Sequence, residues 1–327
     1  MSARPKVIVT RRLPQVVETR MAELFDVELN FDDRAMDAAG LRDALARADV
    51  VVPTVTDTLD ADVLAAAGPR LKLLANFGTG VDHIDLAAAR AKGVVVTNTP
   101  GVLTDDTADM VMALILSVSR RIGEGEKLLR AGEWTGWSPT GMLGHRVTGK
   151  RLGIVGMGRI GQAVAARARA FGCAIHYHNR ERLPAAVEGA VEATYWPTLA
   201  AMLERVDIVS INCPLTPATH HLIDDAALRR MQRHVYLINV ARGGVVDEAA
   251  LVACLKRGGI AGAGLDVFER EPEVASALLD LPNVVLVPHL GSATFEGRRD
   301  MGEKVIANIR SWADGHRPPD QVLEGWV

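Results

Sequence analysis

The sequence predicts an α/β protein built from two doubly wound parallel-sheet domains, and three observations carry that prediction. Short runs of Val, Ile and Leu alternate with Ala-rich segments of helical composition, the rhythm of β-α-β-α chains whose strands lie parallel. The rhythm breaks at Pro100-Gly101 and resumes at Leu152. At 327 residues the chain is long for one hydrophobic core and comfortable for two.

In chain order, the first strands are expected at Val7–Val9, Asp49–Val52, Leu71–Ala75 and Val94–Val96, with helices such as Leu41–Ala48 and Leu86–Ala91 between them. After the Pro100-Gly101 break, Thr104 suits a helix N-cap. It opens a long connecting helix to about Arg121, in which Met110, Val111, Leu114, Ile115 and Val118 recur at helical spacing. The stretch Gly132 to Gly141 has turn chemistry and carries Trp134 and Trp137, which either present an interface or fold back onto their own chain. The second set of strands is expected at Leu152–Val155, Ala174–Tyr177, Ile208–Ile211, Val235–Ile238, Gly262–Leu265 and Val284–Val287. A last amphipathic helix, about Phe295 to Trp312, has no further sheet to join and could return to pack on the first domain. The expected domains are then a discontinuous one, 1–101 with 290–327, and an inserted one, 102–289.

Lys plus Arg (37) nearly balance Asp plus Glu (40), and no basic block or aromatic-interleaved basic stripe is present, so the expected ligand is small rather than a nucleic acid. Cys173, Cys213 and Cys254 are odd in number and widely spaced, as in a protein whose thiols stay reduced. The charged lead Met1 to Lys6 has no apolar signal region, and no run of about 20 apolar residues follows. A soluble, cytoplasmic protein without a membrane partner is expected.

The segment Gly156-Met157-Gly158-Arg159-Ile160-Gly161 follows the apolar run Leu152–Val155 and opens an Ala/Arg-rich helical segment. That is the strand, turn and helix that hold a dinucleotide pyrophosphate. Gly156 allows the tight turn, Gly158 lets the backbone approach phosphate, Gly161 lets helix and strand pack closely, and the amides of Arg159 and Ile160 at the helix start face the anion.

Ligands of doubly wound sheets sit beyond the carboxyl ends of the strands, which directs attention to polar residues placed there. Arg242 follows Leu237–Ala241 and precedes Gly243-Gly244; Asp266 closes the next strand, with Glu271 in the loop after it; His289 follows the last strand after Pro288. Reduction of a carbonyl by a nicotinamide needs a cation to polarise the C=O and an acid to deliver a proton. Arg242 suits the first task by its two-pronged donor, and His289 the second, with Glu271 favouring its protonated form and fixing its ring.

Gly156 to Gly161, Asn239 to Asp247, Asp266 to Pro272 and Pro288 to Thr294 together resemble the D-isomer-specific 2-hydroxyacid dehydrogenase family, over nearly the whole chain. Asn98 to Ala108 and the Trp134/Trp137 loop look most like its glyoxylate and hydroxypyruvate reductase branch. The resemblance implies a Rossmann-type cofactor domain inserted in a discontinuous flavodoxin-like substrate domain, and a homodimer in which Trp137 could reach the partner. It further implies that Arg242 binds the substrate carboxylate and carbonyl, that Glu271 pairs with His289, and that His289 is the general acid/base. Asp266 would contact the nicotinamide carboxamide, and Cys213 and Pro214 would line the cofactor, as would Thr107, Thr219, Val240, Ala241 and Gly291.

A second glycine loop, Asn76 to Asp82, follows the strand Leu71–Ala75, and the amides of Gly78, Thr79, Gly80 and Val81 could cradle a carboxylate, where the family also places its substrate; an ordinary βα turn is the alternative. Val55, in Val52 to Thr56, would line the same substrate; the lack of a basic residue there argues against a phosphorylated one. At the position where NAD sites carry an acid, Asn179 stands instead, followed by Arg180 with Arg182 close by. This predicts NADP(H) over NAD(H), with NAD(H) still usable if Arg180 is only a solvated loop residue. His176 and His178 lack nearby carboxylates and His220-His221 lack a matching ligand set, so no metal is expected.

The expected reaction is NADPH-dependent reduction of a small 2-oxo acid, glyoxylate to glycolate or hydroxypyruvate to D-glycerate. The rival enzymatic expectation is a D-lactate or broad 2-ketoacid reductase. A formate dehydrogenase would carry Gln at Glu271, and a phosphoglycerate dehydrogenase would need a regulatory domain beyond Val327. From a different class, a dinucleotide-sensing scaffold would bind the cofactor without turning over any 2-oxo acid.

Overall fold

Most strands form where aliphatic residues run together, and in the computed structural model, which describes residues 4–323, all the paired strands are parallel. Met1 to Ala3 of the charged lead and the bounds at 1 and 327 lie outside the described residues. The chain's internal contacts divide it into two units, Met1–Leu103 with Ala293–Val327, and Thr104–Ser292.

The first unit holds β1 (Lys6–Val9), β2 (Asp26–Glu28), β3 (Val50–Val52), β4 (Leu73–Ala75) and β5 (Val95–Thr97) in the order β2-β1-β3-β4-β5. The central β3 and β4 are buried throughout, as expected of strands covered by helices on both faces. The edge strand β2, whose residues are exposed, intermediate and exposed, has no apolar run to mark it in the sequence. Helices start at capping carboxylates: Asp37 accepts from the Gly40 amide and Asp85 from the Ala88 amide. The helix Phe295–Ala313 buries Met301, Val305, Ile306 and Ile309 in one core with Val7, Val9, Val17 and Met21, so the chain's last helix is part of this unit.

The second unit holds β6 (Arg151–Val155), β7 (Ala174–His178), β8 (Thr194–Tyr195), β9 (Ile208–Ile211), β10 (Tyr236–Asn239), β11 (Gly262–Leu265) and β12 (Val284–Leu286), ordered β12-β11-β10-β9-β6-β7-β8. Strand order reverses between β6 and β9, the switch point at which open sheets of this kind leave a crevice. The helix Thr104–Ser119 packs Ala108, Val111, Leu114, Ile115 and Val118 into this unit's core. It ends near Arg121, whose left-handed φ of 57° breaks the helix, and a second helix, Ile122–Arg130, follows. Trp134 and Trp137 do not fold back: they are 57% and 83% exposed. No helix among the described residues is long and apolar enough to cross a membrane.

Candidate active site

The turn after β6 is shaped for close approach. Gly156 has φ of 95°, and a Cβ there would meet the Cys213 amide nitrogen at 2.7 Å; a Cβ on Gly161 would lie 2.3 Å from the Gly156 carbonyl oxygen. Nothing stands within 4 Å of where a Gly158 Cβ would be, and Gly158 begins the helix Arg159–Ala170 with no side chain capping it. An uncapped helix start beside an open glycine is the arrangement that takes a pyrophosphate. These residues fit a dinucleotide. Asn179 contributes in a way the sequence did not reveal: its Oδ1 accepts from the Met157 amide at 2.7 Å and fixes the glycine turn from the end of β7.

At the ends of β10, β11 and β12 the structure assembles the residues expected to carry chemistry. His289 Nδ1 lies 2.8 Å from Glu271 Oε2. The Phe268 amide donates to the other Glu271 oxygen at 3.0 Å. Burial works to raise the Glu271 carboxyl, but the hydrogen bond and charge of His289, the Phe268 amide and the Arg242 charge outweigh it and hold the group below its ordinary value. Arg242 stands at the end of β10, its carbonyl accepting from Asn239 Nδ2 at 2.9 Å and its Nη1 donating to the Ala241 carbonyl at 2.8 Å. The segment that follows is pressed onto the Glu271 loop, for a Cβ on Gly243 would fall 1.9 Å from the Phe268 carbonyl carbon.

Asp266 is only 1% exposed, and both its oxygens accept backbone amides, from Leu290 and from Gly291 at 2.8 Å. Burial pushes its carboxyl up against the pull of those amides. It therefore anchors the segment that carries His289, which is itself held in the left-handed region at φ 54° with its amide donating to the Asp266 carbonyl. The sequence alone does not show this anchoring; the family resemblance implies only a nicotinamide contact for Asp266.

Other expected residues are placed as supports. Thr219 Oγ1 donates to the Pro214 carbonyl at 2.6 Å and closes the turn after β9, and Thr107 Oγ1 donates to the Gly291 carbonyl at 3.2 Å. Val240 is buried, Ala241 donates its amide to Asn239, and burial pushes the Cys213 thiol up to about 11. Two expectations are corrected. Arg182 is committed elsewhere: it grips the buried Glu188 through Nε and Nη2 at 2.9 and 2.8 Å, holding that carboxyl down at about 2 together with the Tyr177 hydroxyl, whereas Arg180 stands exposed just after β7. His220-His221 do have a matching acid, because the fold brings Glu269 to them from 48 residues away. His176 and His178 pair with Trp196 instead.

In the first unit, the loop after β4 has its carbonyls tied down. Asn76 Nδ2 donates to the Gly78 and Gly80 carbonyls at 3.0 and 2.9 Å, and Asn98 Nδ2 to the Thr79 carbonyl at 2.7 Å. Among the described residues nothing accepts from the amides of Thr79, Gly80 and Val81, which leaves them as donors for an anion. Val55 lies on the adjoining loop, 40% exposed, next to the Thr54–Phe77 bridge.

Comparison with known proteins agrees with this geometry. The family model of the D-isomer specific 2-hydroxyacid dehydrogenase NAD binding domain matches residues 112–291. A glyoxylate reductase of Thermococcus litoralis is 45% identical over 323 residues, covering 98% of this chain and 97% of its own length. Among solved structures, an NADPH-dependent glyoxylate/hydroxypyruvate reductase from Sinorhizobium meliloti, in complex with NADP and malonate, superposes with a TM-score of 0.88 at 38% identity, covering 98% of each chain. A glyoxylate reductase from Paecilomyes thermophila has the same TM-score, 0.88, at 32% identity and 99% of each chain.

Proposed function

The chain belongs to the D-isomer-specific 2-hydroxyacid dehydrogenase family and is an NAD(P)-dependent dehydrogenase, and we propose that it uses NADPH to reduce glyoxylate to glycolate and hydroxypyruvate to D-glycerate. The observation that carries this reading is the 2.8 Å contact of His289 with Glu271 on a strand-end rim shared with Arg242. Gly156, Gly158 and Gly161, with the amides at the start of Arg159–Ala170, would hold the dinucleotide, which when bound supplies the hydride. Arg242 binds the 2-oxo acid through its planar fork and draws electron density towards the carbonyl oxygen. His289 keeps Nδ1 on Glu271 and gives the Nε2 proton to that oxygen as negative charge develops there. Glu271 fixes the ring through Nδ1 at 2.8 Å. For the first unit, we assign the Gly78–Val81 turn a carboxylate-binding role, with Val55 beside it.

Glyoxylate and hydroxypyruvate are the proposed substrates because they are small, uncharged beyond one carboxylate, and named in the relatives above. The assay is loss of NADPH absorbance with each acid; no turnover with any 2-oxo acid would leave only a dinucleotide-binding scaffold. Cofactor choice is assigned to Arg180, since Asn179 carries no charge to repel a 2′-phosphate and is already bonded to Met157. Arg180→Ala is expected to raise the KM for NADPH about tenfold, the low end for a hydrogen bond to a charged group, and to leave that for NADH alone. Equal effects on both cofactors would remove Arg180 from this role. The exposed Trp134, Trp137, Leu129 and Leu143 are assigned to a homodimer contact. Light scattering should give twice the 35.1 kDa chain mass, and a monomer at micromolar concentration would reject it.

A further inference from the structure

We propose that His220, His221 and Glu269 form a binding site for one divalent transition-metal ion of the imidazole-seeking kind, with Zn2+ as its probe. Adjacent side chains on extended backbone point to opposite sides. Here His221 adopts a left-handed φ of 50°, its amide donates to the Gly244 carbonyl at 2.9 Å, and the two imidazoles come to lie on one side, with ring centroids 4.0 Å apart and planes 24° from parallel. Glu269 arrives from the segment after β11, with Oε1 2.8 Å from His221 Nε2, and its own amide donates to Glu248 Oε2 at 3.2 Å. One ligand atom from each of the three residues lies within 4.8 Å of the others.

The donor set selects the metal. Two imidazoles and one carboxylate match the three-ligand Zn2+ sites that leave a further position for water, whereas Mg2+ and Ca2+ ask for oxygen ligands throughout. His220 and Glu269 are exposed at the residue level and His221 is partly buried, so the first two can move the short distance needed to reach about 2 Å from an ion. The ion would take the place of the direct contact between His221 Nε2 and Glu269 Oε1. It would also tie the turn after β9 to the Phe268–Glu271 segment, on which Glu271 is mounted. The site stands independently of the reduction proposed above.

Calorimetric titration of the chelator-stripped full chain with Zn2+ tests this. The expected result is one ion per chain in the micromolar range, with a melting temperature that rises with Zn2+ as ligand linkage requires. In His220→Ala and in Glu269→Gln the affinity should fall at least about tenfold, since loss of even an outer-shell partner costs that much. Circular dichroism and melting without Zn2+ show whether each variant folds, and either variant alone decides the matter. No saturable binding in the micromolar range, or binding unchanged in the folded variants, as an ion held by Cys213 would give, overturns the proposal.

Discussion

His289→Ala is expected to lower kcat for 2-oxo acid reduction by roughly 10²–10⁴-fold, the usual contribution of a positioned general acid, while NADPH still binds. The ring is fixed from two directions: Glu271 holds Nδ1 at 2.8 Å, and the His289 backbone is held by the Asp266 carbonyl while Asp266 clamps the next two amides. Loss of the ring removes the proton donor without touching the glycine turn after β6, so the effect belongs in kcat rather than in cofactor affinity. His289 has a left-handed φ of 54°, which Asn tolerates better than Ala, so His289→Asn separates lost chemistry from lost backbone conformation. Both variants should be comparably slow. A loss below tenfold in both, measured at saturating NADPH and 2-oxo acid, would mean that the proton comes from elsewhere.

Gly243→Ala is expected to damage stability and activity together. Its Cβ would fall 1.9 Å from the Phe268 carbonyl carbon, 2.0 Å from the Phe268 oxygen and 2.3 Å from the Glu269 nitrogen, all of them backbone atoms that no rotamer change can clear. Either Arg242 or the Phe268–Glu271 loop must shift, and each carries a member of the site. Overpacking of this kind costs about 3 kcal/mol at the upper end of its usual range. At about 2–4 °C per kcal/mol for a unit of this size, melting should fall by roughly 6–12 °C. Gly189→Ala is the control, because nothing lies within 4 Å of its Cβ position and its helix favours Ala over Gly. If Gly243→Ala melts and turns over like Gly189→Ala, the contact between the Arg242 and Glu271 segments does not organise the site.

The strands that position the site were legible because their aliphatic runs have no other use: Ile208–Ile211 and Gly262–Leu265 were placed to the residue. The edge strands Asp26–Glu28 and Thr194–Tyr195 were not, since short, partly exposed edges carry no periodic apolar signal. In the site, the positions of Arg242, Glu271 and His289 beyond strand ends could be read from chain order alone, because in parallel sheets the carboxyl ends share one edge. Partners across the fold could not. Nothing near Asn179 announces that its amide holds the glycine turn, nothing near Arg182 shows that Glu188 claims it, and His221 meets Glu269 only once β9 and β11 have been set in register with β10. Asp266 illustrates the same limit, for an acid at a strand end looks identical whether it faces a ligand or two backbone amides.

In the proposed reaction NADPH would supply hydride to one face of a 2-oxo acid that Arg242 binds and the His289–Glu271 pair protonates. This is tested most directly by incubating the chain with NADPH and hydroxypyruvate and resolving the glycerate formed on a chiral column. One NADPH consumed per glycerate, with the D-isomer as product, is the expected result; L-glycerate, a racemic mixture, or glycerate without matching NADPH loss would contradict it.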